Sequence, residues 1–322
     1  MKDAPYENVA VIGGGLIGVG IAHQFAALGF PVAMFNRAAA SSRRARQRLH
    51  STVQRYVSAG LMSPEAAERC RQGIVWRTDL AAAVADVDAV IEAVVEDVVV
   101  KQRLLAQLDA LCPPPVILAT TTSGLNITAL AAEVGEPARV IGAHHFNPPP
   151  LIPGVEVVAG EQTSQDTIQR TMTLLRRAGK EPVLVSDVPG FVVGRLSTAL
   201  RREAWSIVEE GIASADTVDS IWRATLGRAY AAQGPLEISD SSGIDVLLRV
   251  HSYLEPELTP PSTPSAMVAR MVDSGQLGHK SAEGFYSWTP QRLELLYRRV
   301  ERVLGAIASA TQAGAEPEDP AL

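Results

Sequence analysis

The segment Val9-Ala-Val-Ile-Gly13-Gly-Gly15-Leu-Ile-Gly18 constrains the fold more than any other part of the chain. A short apolar run leads straight into glycines, as a buried parallel strand does where it turns into a helix. Apolar Ile17, Ile21, Phe25 and Leu28 then recur at helical spacing, and Gly29 stops the helix. The run over 31–35 reads as a second strand, which completes a β-α-β unit. Inside it, Gly13-x-Gly15-x-x-Gly18 has the spacing of a dinucleotide-binding turn. Gly13 allows the tight turn, Gly15 lets backbone approach a pyrophosphate, and Gly18 lets helix and strand pack closely. Leu16 and Ile17 lie in the same turn, at the helix N-terminus whose free N–H groups favour phosphate. Gly13, Gly15, Leu16, Ile17 and Gly18 are therefore the candidate cofactor-binding residues.

Alternation continues downstream. Strands are expected at 89–92, 116–119 and 140–143, and helices at 99–111 and 127–134. This pattern predicts a mainly parallel, doubly wound α/β sheet of Rossmann type covered on both faces. One segment interrupts it. Over 41–73 the chain is helical and basic, with seven arginines (Arg43, Arg44, Arg46, Arg48, Arg55, Arg69 and Arg71) against Glu65 and Glu68. Ser63-Pro64 reads as an N-cap followed by proline at the first helical position, so the segment is expected to be a helical hairpin inserted into the sheet domain. After Asp187-Val-Pro-Gly190 only helices are expected, at 191–210, 215–225, 244–254 and 265–274. The expected division is a dinucleotide-binding domain over 1–187 and an all-α domain over 188–322, with residues 311–322 frayed.

At 322 residues the chain has room for two such domains. A net charge of −6 argues against nucleic acid as a partner. The most apolar window, 81–100, is broken by Asp86, Asp88, Glu92, Glu96 and Asp97 and does not fit a membrane span. Cys70 and Cys112 form neither a disulfide framework nor a metal-ligand pattern, and the N-terminus has no basic-then-apolar signal segment. The expectation is a cytoplasmic protein acting on small molecules, without a metal.

Two segments specify chemistry. The second strand ends in Phe35-Asn36-Arg37, where an NAD-binding sheet usually presents an acid to the ribose 2′-hydroxyl. Asn36 tolerates a 2′-phosphate and Arg37 can pair with one, so NADP(H) is expected over NAD(H). Alternatively Arg37 stacks on the adenine or points into water. The second segment, Gly142-Ala-His-His-Phe-Asn-Pro-Pro-Pro-Leu-Ile-Pro-Gly-Val-Glu156, gathers two histidines, an asparagine and a glutamate. A histidine exchanges protons near neutral pH, and a carboxylate can hold its ring and favour its charged form. His145, next along a strand from His144, faces the other side of the sheet and reads as structural.

With these residues assembled, the chain resembles the 3-hydroxyacyl-CoA dehydrogenase family over most of its length, from Val9 to about Trp288. The resemblance rests on the opening 11–22, on Val90-Ile-Glu-Ala-Val-Val-Glu96 through Lys101, and on the Thr-Ser-Gly-Leu and His-His-Phe-Asn-Pro stretches. Gly234-Pro-Leu-Glu237 and 278–286 extend it into the helical domain. It implies that His144 is the catalytic histidine with Glu156 as its carboxylate partner, that Ser123 bonds the substrate oxygen, and that Asn147 is an active-site amide. Asn147 and Ser123 also suit plain turns. The resemblance further implies that Glu96 and Lys101 contact the nicotinamide-side ribose and neighbouring cofactor groups. It also implies a homodimer built on the helical domain.

Two departures matter. Gly194 stands where the family usually carries an asparagine that contacts substrate. The hairpin stretch 58–62 lacks the lysine expected to meet CoA phosphates, so its arginines either serve another phosphate or form a solvated face. The function expected is interconversion of a 3-hydroxy and a 3-keto group with NAD(P). The favoured form is a biosynthetic β-ketoreductase acting on a β-keto acid or a CoA or carrier-protein thioester, such as a polyketide intermediate. The alternatives are an L-3-hydroxyacyl-CoA dehydrogenase of fatty-acid or butanoate metabolism and a catalytically inactive nucleotide-binding protein.

Overall fold

The computed structural model of the protein describes residues 7–259 and 265–313, with side chains through 310. Strand β1 (Val9–Ile12) is apolar and wholly buried, as the centre of a covered parallel sheet requires. Eight strands lie side by side in the order β3 (Ile74–Arg77), β2 (Val32–Phe35), β1, β4 (Ala89–Glu92), β5 (Ile117–Thr120), β6 (Val140–His145), β7 (Gly154–Ala159) and β8 (Glu181–Ser186). All neighbours pair in parallel except β6 and β7, which pair antiparallel, so β7 and β8 run against the rest.

Alternate residues of β1 feed two apolar clusters on opposite faces. Val9 and Val11 join Phe25 and Ile21 of α1 (Leu16–Leu28), Leu49 of α2 (Ala39–Ser58) and Leu174 of α7 (Gln165–Arg177). Ala10 and Ile12 join Leu105 and Leu108 of α5 (Val98–Leu111) and Leu130 of α6 (Ile127–Leu130). Each fully buried large side chain, such as Phe25 or Leu105, contributes roughly 1.5–3 kcal/mol relative to exposure. The basic insertion is the expected hairpin of α2 and α3 (Pro64–Gln72), with the Ser63 hydroxyl accepting from Ala66 N at 3.2 Å. A short α4 (Leu80–Val84) follows β3.

Several boundaries differ from expectation. The helix expected over 127–134 is a single turn, α6, and the strand expected to stop at 143 runs on through His145. Strands β3 and β8, with helix α7, had no distinct signal in the sequence. β8 is an edge strand with only Pro182 buried, so it lacks the apolar alternation that marks covered strands.

The remaining helices are α8 (Val193–Glu209), α9 (Ala215–Ala224), α10 (Leu226–Ala229), α11 (Pro235–Ser242), α12 (Ile244–Leu254), α13 (Ala266–Asp273) and α14 (Pro290–Ala313). The chain divides into two compact units, 1–194 with 301–322, and 195–300. The compact units part at 194/195, where Phe191 is buried in the sheet unit and Val192 and Val193 donate their N–H groups to Glu156. The chain also returns to the first unit at its end. There the buried Glu301 pairs with Arg55 at 3.0 Å, and Gly305 lies so close to Leu61 that a side chain at 305 would collide. Of the stretch 311–322 expected to fray, 311–313 close α14 and the rest lies outside the described residues.

Candidate active site

The carboxyl ends of β1, β2, β4, β5 and β6 bring together the residues singled out in the sequence, as open α/β sheets do at their ligand crevice. At the end of β1, Gly13 takes a φ of +118°, and a side chain there would stand 2.5 Å from Ala93 O. Gly18 is pressed against Gly13 O, while Gly15 has open space around it. Gly15 caps α1 without a side-chain hydrogen bond, which leaves the first N–H groups of the helix available to a phosphate. Arg48 of α2 donates to Gly14 O at 2.9 Å and pins the turn. Leu16 is exposed at the mouth of the turn and Ile17 packs into the core. At the end of β2 the Asn36 amide oxygen lies against Gly14, and its buried Nδ2 has no hydrogen-bond partner. Arg37 beside it is exposed. A cradle that side chains would fill, a free helix N-terminus and an unsatisfied buried donor fit a dinucleotide.

His144 and Glu156 are directly opposite each other in the β6–β7 register, so their side chains stand on one face. Nδ1 of His144 lies 2.8 Å from Glu156 Oε2, with both residues buried. An ionised carboxylate only accepts, so Nδ1 carries the proton and Nε2 is left as the working nitrogen. The other carboxylate oxygen, Oε1, accepts from Val192 N at 2.9 Å and Val193 N at 2.8 Å. Glu156 therefore has its orientation set by backbone before it sets that of the imidazole. Phe146 and Phe191 wall the ring, with centroids 4.4 and 6.1 Å away. His145 faces the other side, where Nδ1 meets Ala143 O at 2.8 Å and burial, with the charge of Lys180 adding to it, pushes its pKa down to about 3. It is a neutral structural residue.

Ser123 is exposed at the turn after β5 and its N–H donates to Glu96 Oε1 at 2.8 Å. The Thr122 hydroxyl donates to the same oxygen at 2.6 Å. Behind Glu96 lies Lys101, whose ammonium is 3.4 Å from Glu96 Oε2 and 2.9 Å from each oxygen of Glu92. Glu92 also accepts from Thr120 Oγ1 and Val94 N, both at 2.6 Å. Lys101, read from the sequence as a cofactor contact, is fully buried, so its influence on a ligand runs through Glu96. The Ser123 turn is tied to the Glu156 side as well: Gly124 abuts Gly190, and a side chain at Gly194 would reach Ser123 O at 3.4 Å. Asn147 is exposed just beyond Phe146 and forms no hydrogen bond within the described residues.

Sequence reasoning missed Glu92, Thr122, Arg48 and Phe191. Glu92 carried a faint signal, a carboxylate ending an apolar strand nine residues before a lysine. The basic hairpin turns out to be occupied largely with structure. Arg48 holds the glycine turn, Arg55 pairs with Glu301, Arg69 donates to Ala27 O, Arg71 pairs with Glu68, and Arg46 stacks over Trp76 at 5.2 Å. Among the described residues no cluster of three or more His, Cys, Asp or Glu is placed to hold a metal ion, and no helix is long and apolar enough to cross a membrane.

Comparison with known proteins points to one family. Residues 8–188 match the family model described as "3-hydroxyacyl-CoA dehydrogenase, NAD binding domain", and residues 190–288 match the corresponding C-terminal domain. The chain is 37% identical to the 3-hydroxyadipyl-CoA dehydrogenase of Escherichia coli, over 89% of this chain but 60% of that protein. It is also 37% identical to the 3-hydroxybutyryl-CoA dehydrogenase of Mycobacterium tuberculosis, over 89% of this chain and all of that one. A third relative is the 5-formyl-3-hydroxy-2-methylpyridine 4-carboxylate 5-dehydrogenase of Mesorhizobium japonicum, 34% identical over 94% of this chain and 97% of that one. A solved structure of a dehydrogenase for that pyridine acid, described as an NAD+-dependent dismutase, matches with a TM-score of 0.87 at 34% identity. It covers 97% of this chain and 100% of its own. The NAD-binding model and the NAD+-dependent structure weigh against the NADP(H) expected from Asn36 and Arg37.

Proposed function

This chain belongs to the 3-hydroxyacyl-CoA dehydrogenase family, and on that premise we propose that it interconverts a 3-hydroxy and a 3-keto group, with His144 carrying the hydroxyl proton. The observation that carries the reading is the buried His144–Glu156 pair, held at 2.8 Å beside a dinucleotide cradle. When bound, the nicotinamide dinucleotide supplies the hydride donor or acceptor. In the oxidative direction Nε2 of His144 takes the hydroxyl proton, and Glu156 stabilises the resulting imidazolium through Nδ1–H. In the reductive direction the same nitrogen returns the proton to the oxygen. Ser123, its backbone held by Glu96, offers its hydroxyl to the oxygen as charge develops there. Glu96, supported by Lys101 and Glu92, presents its carboxylate edge to the ribose.

We assign NAD(H) as the preferred cofactor, on the description of the matched domain, with NADP(H) tolerated because Asn36 brings no negative charge to the 2′ position. The curated relatives make an acyl-CoA thioester the first substrate to consider, which is the L-3-hydroxyacyl-CoA dehydrogenase reading. A second reading is favoured by a specific observation. The matched C-terminal domain ends at 288, and helix α14 lies beyond it. The pyridine-acid enzyme covers 97% of this chain, which leaves about ten residues unmatched, too few to omit a 24-residue helix. The mycobacterial CoA enzyme covers 89%, but a structure named 3-hydroxyacyl-CoA dehydrogenase covers 94%, so coverage alone does not separate acid from thioester enzymes. In this chain α14 also covers Leu61, within the hairpin stretch that lacks the expected lysine. The high structural likeness to the pyridine-acid enzyme and the missing lysine support a free carboxylic acid. A biosynthetic β-ketoreductase of polyketide-type acids is one form of it, supported by Gly194 in place of the family's asparagine. The exposed apolar faces of the helical unit support a homodimer.

The test follows oxidation of NADH and NADPH with acetoacetyl-CoA, acetoacetyl-N-acetylcysteamine and free β-keto acids. Turnover confined to the CoA thioester would discard the second reading. Tight NADH binding without turnover of any substrate would favour an inactive nucleotide-binding protein instead.

A further inference from the structure

Lys180, at the entry to β8, is buried, and its ammonium has no carboxylate within salt-bridge distance among the described residues. It donates instead to two carbonyl oxygens of the loop joining β6 to β7, those of Pro149 and, at 2.7 Å, Ile152. The chemistry of that loop explains the need. Pro148, Pro149, Pro150 and Pro153 have no N–H, so the loop has few donors of its own for its carbonyls. Pro148 O is served by the N–H groups of Leu151 and Ile152, and Pro153 O by Glu181 N at 3.0 Å. Pro149 O and Ile152 O are left for the lysine. On another side Pro149 meets the cofactor helix α1 at Gly20, where a side chain would stand 2.6 Å from Pro149 Cδ. The loop is thus gripped between α1 and Lys180. Burial pushes the ammonium down to about 7, a cost that the fold accepts at a site with no ion pair to offset it.

We propose that Lys180 is a positioning residue for the reaction. By fixing the loop that leaves His144, carries Asn147 and returns to Glu156, it sets where the substrate meets the proton-transfer pair. The proposal rests on the reading of His144 as the proton carrier, and the two can fail separately.

Kinetics of Lys180→Met and Lys180→Ala with the substrate found in the panel above test it. Lys180→Met keeps the apolar bulk and removes the donors. Its kcat/KM is expected to fall at least tenfold while NADH affinity stays within twofold. In Lys180→Ala, added propylammonium is expected to restore turnover saturably, whereas 1-propanol of similar size is not, a distinction that a merely space-filling lysine would not produce. Wild-type kcat/KM in Lys180→Met, or equal rescue by the alcohol, would overturn the proposal. If neither variant folds, Gly20→Ala displaces Pro149 from the α1 side and is expected to give the same loss in kcat/KM; an unchanged value there overturns the proposal too. A normal rate for His144→Ala would sink only the underlying assignment of the base.

Discussion

In the first unit β1, β4 and β5 leave no side chain exposed, and Phe25, Ile21 and Leu105 are fully covered. In the second, helices α8 to α13 contain no buried residue at all. Ile212, Leu236 and Leu248 there are 69%, 79% and 68% exposed. The contrast follows from geometry. A parallel sheet with helices on both faces closes its own core, whereas a small set of amphipathic helices has apolar stripes left over. Exposed apolar surface of this kind marks an interaction face. The difference teaches a contrast in closure: the first unit closes its apolar core within itself, and the second leaves apolar surface uncovered.

That contrast can be broken at its strongest point first. His144→Ala is expected to lower kcat toward the upper end of the about 10²–10⁴-fold range of a positioned acid–base group, with NADH affinity unchanged by fluorescence titration. A loss of only a few-fold would take the proton transfer away from β6. Next comes Glu156→Gln. The amide oxygen can still accept from Val192 and Val193, which turns the NH2 group towards His144 and forces the ring proton onto Nε2. Turnover should drop within the same range of about 10²–10⁴-fold through the wrong tautomer, and ring ¹⁵N shifts would report it. An active Glu156→Gln with an Nδ1-protonated ring would contradict the arrangement.

The second unit should respond differently. On the proposal of a homodimer through the helical unit, the wild type is expected to sediment as a dimer and the double change Leu236→Asp and Ile244→Asp as a monomer, with cofactor binding intact. Loss of cofactor binding without dissociation would blur the contrast. The smallest effect expected is on stability against pH, and it belongs to the first unit. Burial pushes His23 down to about 4 and His145 to about 3, both from 6.5. Between 6.5 and those values the unfolded chain binds protons that the native chain refuses, so stability falls as pH falls. Each such proton is worth about 1.4 kcal/mol per pH unit. Lys180, lowered from 10.5 to about 7, acts in the same sense at higher pH, with stability rising between 7 and 10.5. Chemical denaturation from pH 6.5 to 4.5 should show a shallower slope for His145→Asn than for the wild type. Identical slopes would mean that His145 is charged in the fold.

The sequence was most informative where structure is local. Helix α1 is Leu16–Leu28 with Gly29 as its left-handed cap, where apolar spacing and a single glycine placed it. Ser63-Pro64 marked the start of α3, because a cap and an N1 proline act within one turn. Where the signal is weak the reading faded. β8 is an exposed edge, and α6 stops after one turn although apolar residues continue to Val134. The site divides along the same line. The polar stretch around His144 and Glu156 stood out within one short segment and the family resemblance paired the two, whereas Lys101, read through the same resemblance as a cofactor contact, lies buried against Glu92.

What the chain's residues determined alone was therefore the centre of the sheet, the nucleotide turn and the helical second half, since each is written in periodicity or short spacing; the pairing of His144 with Glu156 came from the family resemblance. Only the tertiary structure decided what those residues lean on. Glu96 reaches Ser123 across 27 positions, Val192 reaches Glu156 across 36, and Glu301 reaches Arg55 across 246. The donors and acceptors of such pairs are ordinary residues with no pattern linking them along the chain. Folding brings them together and removes the water that would otherwise satisfy each one separately.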